Sequence, residues 1–237
     1  MARRGDPGRE AIFAAIRQSL GRPAHSAEAR RELDDHIGKH RANLIPQRGK
    51  GDGKELVDRF RAMAEAAACT VRTVAAEAEV PGAVADYLRE NNLSTRITLA
   101  PDSWLSGLDW ASQPMLETRG GPARNEDEVA VTPAFAAVAE TGTLVALSGP
   151  DHPTTLNFMP ASHVVALRAS QVVGAYEEVW QQLRKATKKG RGFAMPRAVN
   201  MITGPSRTAD IALTIQLGAH GPRDLHIVLI DDQAGQE

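Results

Sequence analysis

The 237-residue chain is 42% hydrophobic and 24% charged, which suits one α/β domain with an appendage or two small domains and supplies a sizeable core. A formal net charge of -1 gives no bulk argument for nucleic-acid or membrane-surface binding. A single cysteine, Cys69, excludes an intrachain disulfide and any iron–sulfur or zinc site held by four cysteines of this chain.

Residues 7–20 carry Ile12, Phe13, Ile16 and Leu20 at helical spacing, an apolar stripe on a polar helix. The two arginines before it precede no apolar signal-type run, and no segment approaches the ~18 apolar residues of a membrane span, so the sequence reads as cytoplasmic. Residues 25–45 are polar, with Leu33, Ile37, Leu44 and Ile45 scattered among charges, and read as an exposed helix. "NLIPQRGKGDGK" follows as a Gly/Lys-rich loop or linker. Residues 1–50 are therefore expected to form a helical arm and 51–237 the main domain. Such an arm packs either on a neighbouring subunit or back on its own domain, which leaves a homo-oligomer open. Charge is unevenly spread: residues 1–60 carry +4 and the remainder -5.

From residue 54, helix and strand alternate: "KELVDRFRAMAEAAA" as an amphipathic helix, "CTVRTVA" as a strand, "VPGAVADYLRENN" as a helix opened by Pro81, and "STRITLA" as a strand. This alternation predicts βαβ units and a parallel sheet. Residues 101–128 read as irregular, anchored by Trp104, Leu108 and Trp110. Val131, Thr132 and Pro133 suggest a short turn or helix start, followed by a strand up to Glu140. Residues 143–148 and 163–168 are two further strands, "AYEEVWQQLRKATKKG" is a helix with Val179, Trp180 and Leu183 inward, and "DLHIVLIDD" is a final buried strand. Aromatics are only 4%, so the core is aliphatic, as befits strands covered on both faces.

Three constellations carry chemistry. In "MITGPSRTADI" an apolar strand enters Gly204-Pro205-Ser206 and a helix is expected near Thr208. The unpaired N–H groups of a helix start, together with Arg207, would hold a carboxylate or phosphate; plain capping by Ser206 or Thr208 explains the residues equally well. In "VAETGTLVAL", Glu140 leaves an Ala/Val-rich strand, Gly142 permits close approach, and Thr141 and Thr143 offer hydroxyls. A partly desolvated carboxylate there serves as nucleophile or base, or simply pairs with an arginine or caps a helix. His152, His163 and His220 are the third group. His220 sits in "LGAHGP", which reads as a helix stop, and no paired His spacing supports a metal site. Neither a Walker loop nor a dinucleotide fingerprint is present, and no cofactor is expected.

Taken together, "AVAETGTLVAL", "LNFMPASHVVAL" and "ITGPSRTADIALTIQLGAHGPRDLHIVLID" resemble the LUD domain of the lactate utilization protein C family (LutC, also called YkgG). The motifs fall in the family's order, E-T-G-T, P-x-x-H-x-V, G-P-S-x-T-x-D-I and G-x-H-G-P, densest over residues 130–232. The resemblance implies a three-layer α/β/α domain of the NagB/RpiA/CoA-transferase-like class with a mainly parallel sheet, beside the N-terminal helical arm. It implies a part in oxidising L-lactate to pyruvate alongside iron–sulfur partner subunits, with assembly, substrate binding or regulation fitting as well as catalysis. Coenzyme A transferases of this fold use a glutamate beside a glycine as nucleophile, and "AETGT" is similar; that is analogy of fold, weak for chemistry. On this reading Glu140 lines a pocket at the carboxyl ends of strands, facing Arg207. A small carboxylate or phosphorylated ligand would then lie between Glu140, Thr141, Gly142 and Thr143 on one side and Gly204, Ser206, Arg207, Thr208 and His220 on the other.

Overall fold

In the computed structural model, which describes residues 7–21, 26–42, 44–188, 195–208, 216–218 and 220–232, the chain divides into two units, Met1–Asn43 and Leu44–Glu237. The first holds both helices predicted for the arm, α1 (Pro7–Leu20) and α2 (Ala27–Lys39). Ser26 begins α2 by accepting the N–H of Ala29 on its hydroxyl at 3.1 Å. Neither helix buries a residue; Ile12, Ile16, Leu20, Leu33 and Ile37 all stay exposed.

The second unit alternates helix and strand as the sequence predicts. α3 (Gly53–Ala66) buries Leu56, Phe60 and Ala64 at four-residue spacing. β1 (Thr70–Val74) leads to α4 (Val80–Glu90), with Pro81 in its first turn, and then to β2 (Arg96–Leu99). After the one-turn α5 (Ser103–Ser106) come β3 (Glu117–Gly120), β4 (Val129–Pro133), β5 (Ala136–Val138) and β6 (Thr143–Leu147). β7 (Ser162–Arg168), β8 (Val172–Val173), α6 (Tyr176–Lys188) and β9 (Val199–Ile202) follow. β10 (Arg207–Thr208), β11 (Gln216–Leu217) and β12 (Asp224–Ile230) complete the order. No helix among the described residues is long and apolar enough to cross a membrane.

Six strands form a wholly parallel sheet in the order β1-β12-β7-β4-β2-β3. Its central strands are nearly continuous apolar runs because helices or a second sheet cover both faces. One face carries α4 and the α5 segment, packing Val80, Leu88, Leu105 and Trp110 on Val131 and Ile230. The other carries α3 and part of a second sheet, β8-β5-β6-β9, in which β5 runs parallel to β8 and antiparallel to β6. Side chains of β5 alternate: Ala137 faces the parallel sheet, whereas Ala136 and Val138 face α6 through Val179 and Leu183. The mainly parallel sheet flanked by helices is the fold expected; the interposed second sheet is an addition.

Two readings are corrected. Residues 129–133 form no turn or helix start: they are a fully buried central strand. Pro133 is tolerated because it is the last residue, and the next N–H, of Ala134, bonds the carbonyl of Ala166 at 3.0 Å. The stretch 101–128, read as irregular, contains the edge strand β3, whose exposed residues show no alternation to signal it.

Two histidines lie inside the parallel sheet. His163 of β7 meets the hydroxyl of Thr132 through Nε2 at 2.8 Å. His226 of β12 meets the Thr70 hydroxyl through Nδ1 at 2.7 Å and stacks on Tyr87 with ring centroids 3.9 Å apart. The second nitrogen of each ring is buried with no partner among the described residues. Burial pushes both imidazoles down from 6.5 to about 4, with Arg72 adding to the effect at His226.

The folded state therefore holds both rings neutral. Because their folded pKa lies below the unfolded value, the unfolded chain binds more protons between pH 6.5 and 4. The stabilisation is whole above about pH 6.5 and is lost as pH falls toward 4, with each ring contributing on the order of 3 kcal/mol. Urea unfolding should show a steep loss of stability from pH 7.5 to 5, and His226→Asn should reduce that slope by about half.

Candidate functional site

The "AETGT" stretch is the four-residue connection Ala139–Gly142 between β5 and β6 together with Thr143, the first residue of β6, which pairs with Val138. Gly142 has φ +66, and a Cβ there would lie 2.4 Å from the backbone nitrogen of Ala64. Only glycine allows the last turn of α3 to seat on this loop. Glu140 continues the alternation of β5 onto the α6 side, and its N–H donates to the Gly174 carbonyl at 3.1 Å. The residue is 7% exposed, and its carboxylate pairs with Arg48, which reaches Oε1 through Nη2 at 3.0 Å and Nε at 3.1 Å. Arg48 belongs to the stretch read as a linker. There residues 47–49 form a short 3-10 turn, and Arg59 ties it down by donating to the carbonyls of Arg48 and Lys50. A Cβ on Gly174 would lie 1.9 Å from the Gly49 carbonyl, so this strap also needs a glycine beneath it.

The hydroxyls beside Glu140 form a shared network. Thr143 Oγ1 lies 2.7 Å from Thr141 Oγ1, 2.9 Å from Tyr176 Oη and 2.6 Å from Thr203 Oγ1, and Tyr176 also meets Thr141 at 2.9 Å. A hydroxyl has one donor and two acceptor positions, so Thr143, itself fully buried, is saturated. The Thr143–Thr203 bond joins the first motif to the residue before the second.

The second motif also closes on α3. Gly204 has φ +75, and a Cβ there would lie 2.2 Å from the carbonyl oxygen of Ala67. Arg207 donates to that same carbonyl through Nη2 at 2.9 Å, a cation at the negative end of the helix. Ser206 is bracketed by "GAHGP": its N–H donates to Pro222 O, its hydroxyl accepts from the His220 N–H at 3.2 Å, and its carbonyl accepts from Gly218. Thr208 itself, where a helix was expected to open, is extended. Arg207–Thr208 is β10, paired antiparallel with β11, and the bonds around Ser206 hold the two strands together. The helix stop read at Gly218 and His220 is likewise the end of a strand. The body of the expected helix, residues 209–215, lies outside the described residues. Cys69, packed beside Gly204 and Arg207, has its thiol pushed up to about 11 by burial and is inert.

The structure thus gathers Glu140, Thr141, Gly142, Thr143, Gly204, Ser206 and Arg207 around the end of α3. It does not join Glu140 to Arg207: the carboxylate holds Arg48, and the guanidinium holds a helix carbonyl.

A cleft of about 390 Å³ opens elsewhere, where β2, β4 and β7 end. Leu147, at the far end of β6 from Glu140, forms part of its wall. Its polar lining includes Asp102, His152 and Arg168. Chains leaving β1 and β2 turn to the α4 face, whereas those leaving β4 and β7 turn to the face bearing the second sheet. The cleft therefore occupies the point where the winding of an open sheet reverses, the place such sheets offer a ligand. Arg168 stacks on Trp104 with Cζ 4.1 Å from the ring centroid, and its Nε donates to Glu77 Oε1 at 2.5 Å. Trp104 Nε1 donates to the other Glu77 oxygen at 2.6 Å, and these two bonds hold the Glu77 carboxyl below its usual range. His152 Nε2 lies 3.8 Å from Asp102 Oδ2. Of these residues only His152 was singled out in the sequence; Trp104 had been read as an anchor. The signal for Arg168, a cation closing an apolar strand run, is common in parallel sheets. Among the described residues no group of three or more His, Cys, Asp or Glu could hold a metal.

Residues 124–230 match the LUD domain. The chain is 29% identical to a lactate utilization protein C of an Exiguobacterium species, over 94% of this chain and 96% of that one. It is 41% identical to an uncharacterized protein of Neisseria meningitidis serogroup B, over 39% of this chain and 38% of that protein. It is 30% identical to a lactate utilization protein C of a Geobacillus species, over 44% of this chain and 43% of that one. The matched stretch thus spans under half the length of the Neisseria and Geobacillus proteins. The crystal structure of a DUF162 family protein from Deinococcus radiodurans is similar in fold, with a TM-score of 0.55 at 21% identity over 76% of this chain and 99% of that one.

Gly142→Ala and Gly204→Ala should each cost about 2–4 kcal/mol, since backbone rather than a movable side chain meets the new Cβ. Gly149, with open space around it, is the control, and Gly149→Ala should be near neutral. Thermal melts should show both motif variants lowered by about 5–12 °C relative to that control.

Proposed function

With residues 124–230 forming a LUD domain, in a chain that belongs to the lactate utilization protein C family, we propose that the protein serves in L-lactate utilization, acting in the cytoplasm with iron–sulfur partner subunits while lactate is oxidised to pyruvate. The observation that carries this reading is the alignment with an Exiguobacterium lactate utilization protein C over nearly the full length of both chains. The single cysteine fits a subunit whose partners carry the clusters. The exposed Ile12, Ile16 and Leu20 of α1 favour the arm as the partner contact, since an unburied apolar helix stripe is an interaction surface. In the same reading the chain binds a small anionic ligand.

The geometry supports a binding or assembly role over acyl transfer through Glu140. A nucleophilic carboxylate must present an oxygen to its substrate, whereas Glu140 is a buried residue whose Oε1 is held by Arg48 through two bonds. Thr141 and Thr143 are engaged as well. The "AETGT" and "GPSRT" motifs are accounted for by packing.

Growth on L-lactate of a strain lacking the gene, complemented with variants, tests the reading. The wild-type chain should restore growth, and Glu140→Gln, which keeps an oxygen for Arg48, should restore it within about twofold. Failure of the wild-type chain overturns the lactate role; failure of a folded, stable Glu140→Gln protein revives the nucleophile. Ile12→Glu/Ile16→Glu in the full-length chain should reduce co-purification of iron–sulfur subunits at least fivefold, and undiminished co-purification removes the arm as the contact.

A further inference from the structure

The cleft at the ends of β2, β4 and β7 contains a cation held in place with its working edge unused. Glu77 receives Arg168 Nε on one oxygen and Trp104 Nε1 on the other, so guanidinium and indole are clamped as a stacked pair. Arg168 is 28% exposed at its side chain, and only its Nε is hydrogen-bonded among the described residues. The two terminal nitrogens carry four N–H groups in a planar fork, whose spacing matches the two oxygens of a carboxylate. The residues beneath are satisfied: Gln171 accepts from the Arg168 N–H at 2.8 Å and donates to the Ala134 carbonyl at 2.8 Å, which fixes the floor without competing for the fork.

The walls choose the class of ligand. Pro133, Phe135, Leu147 and Pro150 supply apolar lining. Asp102 and Asp151 belong to the same lining, which thus bears one arginine against two carboxylates, with Glu77 paired to the arginine. That balance repels a phosphate dianion and tolerates a monoanion held by one bidentate contact. A volume of about 390 Å³ lies within the range of small-molecule sites. We propose that this cleft binds a small organic monocarboxylate, its carboxylate on the Arg168 fork and its carbon skeleton against Pro133, Phe135, Leu147 and Pro150. His152, beside Asp102, is placed to meet a hydroxyl or keto oxygen on that skeleton. The proposal rests on the small-anion part of the function proposed above and narrows it to one site and one class.

Titration calorimetry of the full-length chain with hexanoate tests it without reference to growth, so failure here leaves the lactate role standing. Saturable binding is expected, weakened at least tenfold by Arg168→Gln and by Arg168→Lys, which keeps the charge and loses the fork. Gly149→Leu should weaken it as much by filling the cleft, because Gly149 lines it with open space around its Cβ position and the Arg168–Trp104 pair is untouched. Equimolar inorganic phosphate should not displace hexanoate. Absence of binding to the wild-type chain, wild-type affinity in a folded Arg168→Gln or Gly149→Leu protein, or displacement by phosphate overturns the proposal.

Discussion

The end of α3 lies closer to two loops than any side chain would permit. Gly142 presents its bare Cα to the backbone of Ala64, and Gly204 presents its own to the carbonyl of Ala67, each at positive φ. Those contacts fix where the β5–β6 turn and the loop after β9 stand relative to the parallel sheet, because α3 itself is anchored on that sheet through Leu56, Phe60 and Ala64. Much else in the second sheet follows from them. The hydroxyl bond between Thr143 and Thr203 forms because both loops converge on one helix end, and Tyr176 of α6 is drawn into the same network.

That convergence changes the meaning of residues that look chemical. A glutamate followed by Thr-Gly-Thr, and a Gly-Pro-Ser-Arg-Thr loop, carry the residue types of an anion site. Here the arginine of the second loop neutralises the carbonyl end of α3, where the helix dipole already favours a cation. Glu140, left in an apolar setting, takes its counter-ion from the strap before α3. A buried carboxylate must find such a partner or give up its charge. Arg48 remains largely exposed on its other edges, so the pair sits at the rim of the core and water shares in solvating it.

Legibility in the sequence divides along the same line. The strands of the parallel sheet and the helices between them announce themselves through apolar period and Pro or Asn boundaries, and the close approach at Gly142 could be read from a glycine among buried residues. Arg48 and Glu140 could not be matched, since 92 residues separate them and nothing local marks either for the other. The pairing of β10 with β11 was not legible at Thr208, because the deciding bonds run from Ser206 to Gly218 and Pro222, more than ten residues away. β4 was misread because Pro133 signals a turn; its place at the strand end, where the following N–H continues the ladder, depends on which neighbour the strand acquires.

The cleft shows why motif and ligand site part company in an open sheet. A motif is a run of neighbours in sequence, and its residues are close because the chain is continuous. A crevice at a winding reversal is made by loops that leave adjacent strands toward opposite faces, so its lining comes from distant stretches. Asp102 follows β2, Phe135 follows β4, Leu147 closes β6 and Arg168 closes β7. Each alone is an ordinary strand-end or loop residue. Only the order β7-β4-β2 puts them around one space, and only Glu77, from the turn before α4, holds Arg168 and Trp104 there together. Packing accounts for the sequence motifs around α3, whereas the topology itself, away from those motifs, supplies the preorganised cation.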